Sequence, residues 1–393
     1  MQGTFIDLLF IADSSILKFI LTTTRRTTML KHKDHFHGSD LEQIERIYNI
    51  KKSDIISFSA NVNPLGISYQ LKQTLAAQLD AITHYPDRDY KLLRQCIATY
   101  ANTQLDNVIV GNGSTELISL FIQTQQPKKA LVLGPTYSEY EREVALGGGI
   151  TKYYPLKPAN DFALDIEAFC KSLKDSTDLL VLCNPNNPTS TALTTKELRK
   201  ILDTCMQHGI FVMIDETYVE FTENVAAITA VSLANYYNNL IILRGTSKFF
   251  AAPGLRLGYA ITGNADLAKA INSRKNPWSI NSLAEIAGRL MLSDHEYIDK
   301  TRQLISSERQ RLVDELSTWS SVRVYPPQAN FILMQILKSD VTAEDLFEHC
   351  IRQGLMIRNC STFPFLDNSY IRFCIMNLQQ NDCLLAAFRE ILN

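Results

Sequence analysis

The chain has 393 residues, 46% hydrophobic and 20% charged, with a net charge of −2. That is a globular composition with material for a large core, and its charge balance excludes an electrostatic footprint for nucleic acid. No apolar run reaches about 18 residues, so no membrane insertion is expected.

The first 28 residues stand apart. Leu8 to Leu21 is apolar but broken by Asp13, Ser14, Ser15 and Lys18, and Arg25 and Arg26 follow it where a secretory signal has its charge in front. This segment is expected to be disordered, or an extension ahead of a natural start at Met29. Residues 29–80 read as an N-terminal arm and part of a small domain, 81–280 as a large domain, and 281–393 as a small C-terminal domain.

From about residue 105 strands alternate with helices. Asn107 to Val110 is a short strand before the turn Gly111-Asn112-Gly113, and a helix follows from Ser114 with Glu116 in its first turn. Further apolar runs are Ala130 to Leu133, Asp178 to Cys183, Ile210 to Ile214 and Leu240 to Leu243. Continuous apolar strands followed by helices predict an α/β fold, a mostly parallel sheet covered on both faces. Ligands gather at the carboxyl ends of such strands. After about 280 the texture changes. Helical stretches from Asn281 to Thr318 lead to strand-like segments at Ala329 to Gln335 and Tyr370 to Ile375, predicting a smaller α+β domain. Eight cysteines occur without a C-x-x-C pair or zinc spacing, which predicts reduced thiols in a cytoplasmic protein and no metal site.

Several residues at the predicted strand ends suit chemistry. Lys248 follows the strand Leu240-Ile241-Ile242-Leu243. Burial there would lower its pKa and favour the neutral amine that forms a Schiff base, although a solvated surface lysine is the ordinary reading of one such residue. Asp215 closes Phe211-Val212-Met213-Ile214 and could hold a pyridinium nitrogen protonated; a helix cap or structural ion pair is the alternative. Tyr218 could reach the same ligand, or serve packing. Gly111 to Glu116, with Ser114 and Thr115, offers free N–H groups at a helix start, the arrangement that binds phosphate. Ser247 and Arg256 could add to it. Asn187 lies in Asn184-Pro185-Asn186-Asn187-Pro188-Thr189, which also reads as loop punctuation.

Taken in order, Asn-Pro-Asn-Asn-Pro-Thr, Asp-Glu-Thr-Tyr, Ser-Lys and Arg-Leu-Gly-Tyr resemble the fold-type I pyridoxal 5'-phosphate (PLP) enzymes of the aspartate aminotransferase superfamily, from about residue 35 to the C-terminus. The resemblance implies PLP as cofactor, joined to Lys248, with Asp215 at the ring nitrogen, Tyr218 beside the ring and Tyr137 stacked on it. It implies Ser114, Thr115, Ser247 and Arg256 at the cofactor phosphate and Asn187 between cofactor and substrate. Tyr85 would reach the phosphate of a neighbouring subunit, implying a homodimer with shared sites.

Within that superfamily, His37-Gly38, Phe58-Ser59-Ala60-Asn61-Val62-Asn63-Pro64, His84-Tyr85-Pro86-Asp87 and Asn276-Pro277-Trp278-Ser279 resemble the threonine-phosphate decarboxylases of cobamide biosynthesis. Histidinol-phosphate aminotransferases are the sister branch and the alternative activity. The resemblance places His37, Gly38, Asn61, Asn187, Arg358 and Arg372 at the substrate, a small phosphorylated amino acid. That substrate would be O-phospho-L-threonine, giving 1-aminopropan-2-ol phosphate, or O-phospho-L-serine, giving ethanolamine phosphate, for the linker of a cobamide nucleotide loop. Anchoring of the phosphate by His37, Asn61 and an arginine could swing the α-carboxylate out of plane and select decarboxylation. The chain departs from its relatives in having Gly245 where they carry Ser, Ser190 where they carry Gly, and Tyr218, which is seen more in the aminotransferase branch. A non-catalytic PLP-binding regulator, a distant alternative, would need a winged-helix domain that 28 extra residues cannot hold.

Overall fold

The apolar runs between residues 105 and 262 become one large sheet, whose strand ends carry the site. In chain order the strands are β1 (Ile56–Ser57), β2 (Val108–Asn112), β3 (Lys129–Gly134), β4 (Ile150–Pro155), β5 (Leu179–Cys183), β6 (Phe211–Asp215), β7 (Leu240–Gly245), β8 (Leu257–Ile261), β9 (Val322–Val324), β10 (Phe331–Ile336), β11 (Leu355–Met356), β12 (Arg358–Asn359) and β13 (Tyr370–Cys374). The computed structural model describes residues 40–174 and 176–393. The expectations for residues 1–28, and those for His37 and Gly38, lie outside the described residues.

The seven-stranded sheet has the order β2-β8-β7-β6-β5-β3-β4. All neighbours are parallel except β8, which runs antiparallel to both β2 and β7. β7 and β8 are buried along their whole length, as expected where helices cover both faces. Leu117, Ile118 and Phe121 of the Gly113–Gln125 helix pack on Val181, Met213, Ile241 and Ala260 in one core cluster. Among the described residues no helix is long and apolar enough to cross a membrane.

A second sheet, β12-β13-β10-β9, is antiparallel. The expected helical stretch ahead of it divides into Ser282–Ser293 and His295–Ser317. Asp294 makes the break because its carboxylate accepts from Tyr297 N at 3.0 Å and caps the second helix. The arm joins this side: β1 pairs in parallel with β11. It then passes between the two sheets. Phe58 O accepts from Cys374 N at 2.7 Å, and Asn63 N donates to Lys248 O at 3.0 Å.

Two local expectations need correction. Gly111 and Asn112 do not turn; they extend β2, opposite Gly258 and Leu257. The change from strand to helix is made at Gly113 alone, whose φ of +77° suits glycine. Arg256 does not follow a strand; it precedes β8. Because β8 is antiparallel, its start lies beside the ends of β2 and β7, so Arg256 still reaches the same edge.

The Ser190 departure also has a physical account. Its φ is +61°, a backbone region that favours glycine. The buried hydroxyl repays the strain by accepting from Gln328 N at 3.1 Å and Ala329 N at 2.8 Å.

Candidate active site

Glycines bring the phosphate-type donors together. A Cβ at Gly258 would collide with the backbone of Gly113 and Ser114, so β8 lies directly on the helix start. A Cβ at Gly113 would collide with the Arg256 guanidinium, which therefore lies over the first helical residue. A Cβ at Gly245 would stand 3.7 Å from Ser114 Oγ and 3.8 Å from Ser247 Oγ. Two hydroxyls, a guanidinium and the open N-terminus of a helix, with Thr115 in its first turn, thus meet in one cradle suited to a phosphate. Arg256 itself holds a left-handed backbone with φ of +58°, a conformation that costs about 1 kcal/mol or more.

Lys248 lies three residues beyond β7. Its Nζ donates to Ala60 O at 2.6 Å. Burial, then the nearby Arg372 charge, lower its pKa to about 8. A usable fraction of the amine is therefore neutral near physiological pH, as a nucleophilic lysine requires. Asp215 ends β6, next to Leu243 of β7. Its Oδ1 accepts from Thr217 N at 2.9 Å and from Thr217 Oγ1 at 2.6 Å, and its Oδ2 accepts from Tyr140 OH at 2.7 Å. A carboxylate has about four acceptor positions, so the side chain is fixed with room for one further donor. Tyr137 packs edge-on to Tyr140 at 5.6 Å, and Asp215, Tyr218 and Arg256 are among the charged and polar groups it senses. Tyr218 stands edge-on to Phe331, and its hydroxyl accepts from Asn61 Nδ2 at 3.3 Å.

Across from this bed lie the arginines. Arg358 on β12 and Arg372 on β13 are direct register partners. Arg372 is 5% exposed. Its Nη1 donates to Asn187 Oδ1, its Nη2 donates to Ser59 O at 2.5 Å, and its guanidinium lies over Phe331. Burial lowers the Arg358 pKa to about 10, with Arg372 adding to the fall against the opposing influence of Cys360 and Asp40. Asn61 takes a left-handed backbone, φ +54°, which asparagine tolerates. Asn61 Oδ1, Ser59 Oγ and Arg372 Nε are buried without a hydrogen-bond partner among the described residues. Such orphaned groups are costly unless a ligand satisfies them.

Of the predicted residues, Tyr218 meets Asn61, Arg372 meets Asn187, Lys248 meets Ala60 beside Asn61, Asp215 ends the strand next to the one that leads to Lys248, and Ser114, Ser247 and Arg256 share the cradle. Tyr85 is the exception. It is 80% exposed, packs on Trp278 with ring centroids 4.8 Å apart, and makes no hydrogen bond to the other site residues among the described residues. Sequence reasoning missed Tyr140, Thr217 and the Ser59 and Ala60 carbonyls. It also missed the buried pair beneath the bed, where Arg244 Nε and Nη2 donate to Glu216 Oε2 at 2.9 and 2.7 Å. That pair ties the residue that follows Asp215 to the strand leading to Lys248. The neighbouring Asp-Glu-Thr run was its one visible signal. Among the described residues there is no group of three or more His, Cys, Asp or Glu that could hold a metal ion.

Comparison with known proteins places this geometry. The family described as aminotransferase class I and II matches residues 53–388. Threonine-phosphate decarboxylase of Salmonella typhimurium is 32% identical over 356 residues, covering 91% of this chain and 96% of that protein. The crystal structure of histidinol-phosphate aminotransferase from Clostridium acetobutylicum superposes with a TM-score of 0.80 at 32% identity, covering 86% of this chain and 98% of that one. L-threonine-O-3-phosphate decarboxylase from Porphyromonas gingivalis gives 0.76 at 26% identity, covering 85% and 98%.

Proposed function

Since this chain belongs to the aminotransferase class I and II family, whose cofactor is PLP, we propose that it decarboxylates a small O-phospho-L-amino acid, O-phospho-L-threonine or O-phospho-L-serine. The observation that carries the proposal is the pairing of Arg358 with Arg372. Like charges directly opposite in an antiparallel ladder are destabilising. Two guanidiniums side by side suit a substrate with two anionic groups, a carboxylate and a phosphate. The relationship to a threonine-phosphate decarboxylase over nearly the whole chain supports the same class of substrate.

The donor set fits the cofactor. Ser114, Thr115, Ser247 and Arg256 would hold the phosphate, Asp215 the ring nitrogen, Tyr137 the ring face and Tyr218 its edge. When bound, PLP supplies an electron sink for the bond that breaks at the substrate α-carbon. The protein's own contribution is orientation and proton handling. Asp215, fixed by Thr217 and Tyr140, would keep a proton on the ring nitrogen. Arg358, Arg372, Asn61 and Asn187 would orient the substrate and so select which α-carbon bond breaks. His37 and Gly38 would complete that grip from the arm. Lys248 moves a proton at the α-carbon, and the Ala60 carbonyl at 2.6 Å keeps its amine over the bed. The exposed Tyr85 supports a homodimer in which this residue meets a partner's cofactor phosphate.

Transamination is the second reading, favoured by the 32% identity to a histidinol-phosphate aminotransferase. One experiment separates the two. The purified holoenzyme is incubated with O-phospho-L-threonine, O-phospho-L-serine or histidinol phosphate, with and without 2-oxoglutarate, and CO2 and glutamate are measured. CO2 release from a phospho-amino acid is expected. Glutamate without CO2 would replace the proposal with the aminotransferase reading.

A further inference from the structure

Arg358 lies on a two-residue strand, and a long side chain on so short an element needs support. A guanidinium side chain carries much rotamer entropy. Left free, that entropy is lost on binding and weakens the complex. The turn after β12 supplies the support. Thr362 Oγ1 accepts from Arg358 Nη2 at 2.9 Å. The Phe363 ring lies against the guanidinium, with its centroid 5.4 Å from Cζ.

The turn is itself fixed at three points. At its base Cys360 N donates to Tyr370 O at 2.9 Å, and within it Phe363 N donates to Cys360 O at 2.9 Å. At its tip Phe365 crosses to the large sheet. A Cβ at Gly134 would lie 2.7 Å from the Phe365 ring, and Tyr153 meets that ring edge-on at 5.9 Å. Gly134 ends β3, so the turn spans from the small sheet to the strand ends that carry the site. Phe365 holds a left-handed backbone, φ +68°, while 53% exposed. Contact with Gly134 and Tyr153 accounts for that strain better than core packing.

We infer that Thr362 and Phe363 are positioning residues that pre-organise Arg358 for an anionic group of the substrate, with the 360–366 turn as their rigid mount. The inference rests on the proposed role of Arg358 in binding the substrate. The two contacts act differently. Thr362 fixes the plane of the guanidinium through a charge-assisted hydrogen bond. Phe363 offers a ring face that attracts the cation without competing for its N–H donors.

The test is titration of the holoenzyme's cofactor absorbance with O-phospho-L-threonine, which reports binding whichever reaction follows. Thr362→Val should weaken the apparent Kd about tenfold. Phe363→Leu, which keeps apolar bulk but removes the ring face, should weaken it about threefold. Thr362→Ser and Phe363→Tyr should restore binding, and the cofactor's own dissociation rate should not change in any of the four. Arg358→Gln is the control. If it weakens binding while Thr362→Val and Phe363→Leu do not, the positioning role is wrong and the role of Arg358 stands. Unchanged binding by Arg358→Gln would overturn both. Loss of cofactor from Thr362→Val or Phe363→Leu would mark the turn as part of the cofactor bed and also overturn the inference.

Discussion

At the cofactor bed, neighbouring strands set the spacing. Asp215 and Leu243 are partners on β6 and β7, Gly245 and Gly258 on β7 and β8, and Gly111 and Gly258 on β2 and β8. Ladder hydrogen bonds fix those distances before any side chain is chosen. At the arginine face the ladder does the opposite. It sets Arg358 and Arg372 opposite each other, and side chains, the Ser59 carbonyl of the arm and a turn then hold the two cations in place. Backbone pairing sets the geometry of one region, and side-chain contacts set that of the other. Substitutions in the bed should therefore damage chemistry with any substrate, whereas substitutions at the arginines should damage affinity for doubly anionic ones.

The largest effect is expected at Lys248. Lys248→Ala removes the group that joins the cofactor and moves the α-carbon proton, and should lower kcat by about 10²–10⁴-fold with every substrate. It should also abolish the absorbance of lysine-bound cofactor; an unchanged spectrum would refute the assignment. In the native enzyme the lowered pKa, about 8, has its own signature. The protonated amine is inert, so the rate of PLP capture by the apoenzyme should rise with pH to a plateau with its midpoint near 8. A midpoint near the ordinary value of 10.5 would mean that Lys248 is solvated.

Arg372→Gln tests the other side. It should raise KM for phospho-amino acids by about 10²-fold while leaving PLP affinity within about twofold. It also takes the cation away from Asn187 Oδ1 and Ser59 O, so a loss of stability of about 1–3 kcal/mol is expected, read from urea midpoints. Equal losses of PLP affinity and substrate affinity would erase the distinction between the two regions.

Beneath the bed, Glu220 should tune stability rather than chemistry. Arg244 gives two donors to Glu216 and stands 3.9 Å from Glu220, neither of whose carboxylate oxygens has a hydrogen-bond partner among the described residues. Burial, opposed by Arg244, raises the Glu220 pKa from 4.5 to about 7. A carboxyl group with a raised folded pKa contributes stability that is full below the unfolded value. That contribution is lost as pH climbs through the folded value. Between pH 4.5 and 7 the apoenzyme should thus lose up to about 3 kcal/mol at this residue. Glu220→Gln should flatten that slope, and an identical slope in the variant would show that Glu220 is already ionised at pH 5.

The two regions also differ in how far they can be read from residues alone. Asp215, Lys248 and Ser114 each sit at the end of an apolar run, so local pattern suffices to place them at one sheet edge. The antiparallel course of β8 was hidden, because a buried strand reads alike in both directions. The arginine face is written over long separations. Lys248 meets Ala60 across 188 residues, Arg372 meets Ser59 across 313 and Asn187 across 185. Backbone carbonyls, moreover, have no residue signature. Arg358 and Arg372 were identified by resemblance, but the register that makes them partners depends on the length of the turn between them. Tyr140 gave no signal at all; a tyrosine in a short amphipathic helix is ordinary core until Asp215 is seen beneath it.

The smallest effect should come from filling the bed rather than breaking it. At Gly245 nothing lies closer than 3.7 Å to a prospective Cβ, and its neighbours there are Ser114 Oγ, Ser247 Oγ and Leu257 O. Those are ordinary van der Waals separations, so serine fits without moving a neighbour. Gly245→Ser would add a third hydroxyl where two already converge and would remove the backbone entropy of a glycine inside a strand, about 0.5–1 kcal/mol. Release of PLP from the holoenzyme should slow by about threefold, with the unfolding midpoint raised slightly. Binding of O-phospho-L-threonine should not change, because the new hydroxyl faces the cradle and not the arginines. Faster PLP release would mean that the cradle is already saturated with donors and that the added hydroxyl competes with them. Altered substrate affinity would mean that the two regions are coupled through Lys248 more tightly than their separate construction implies.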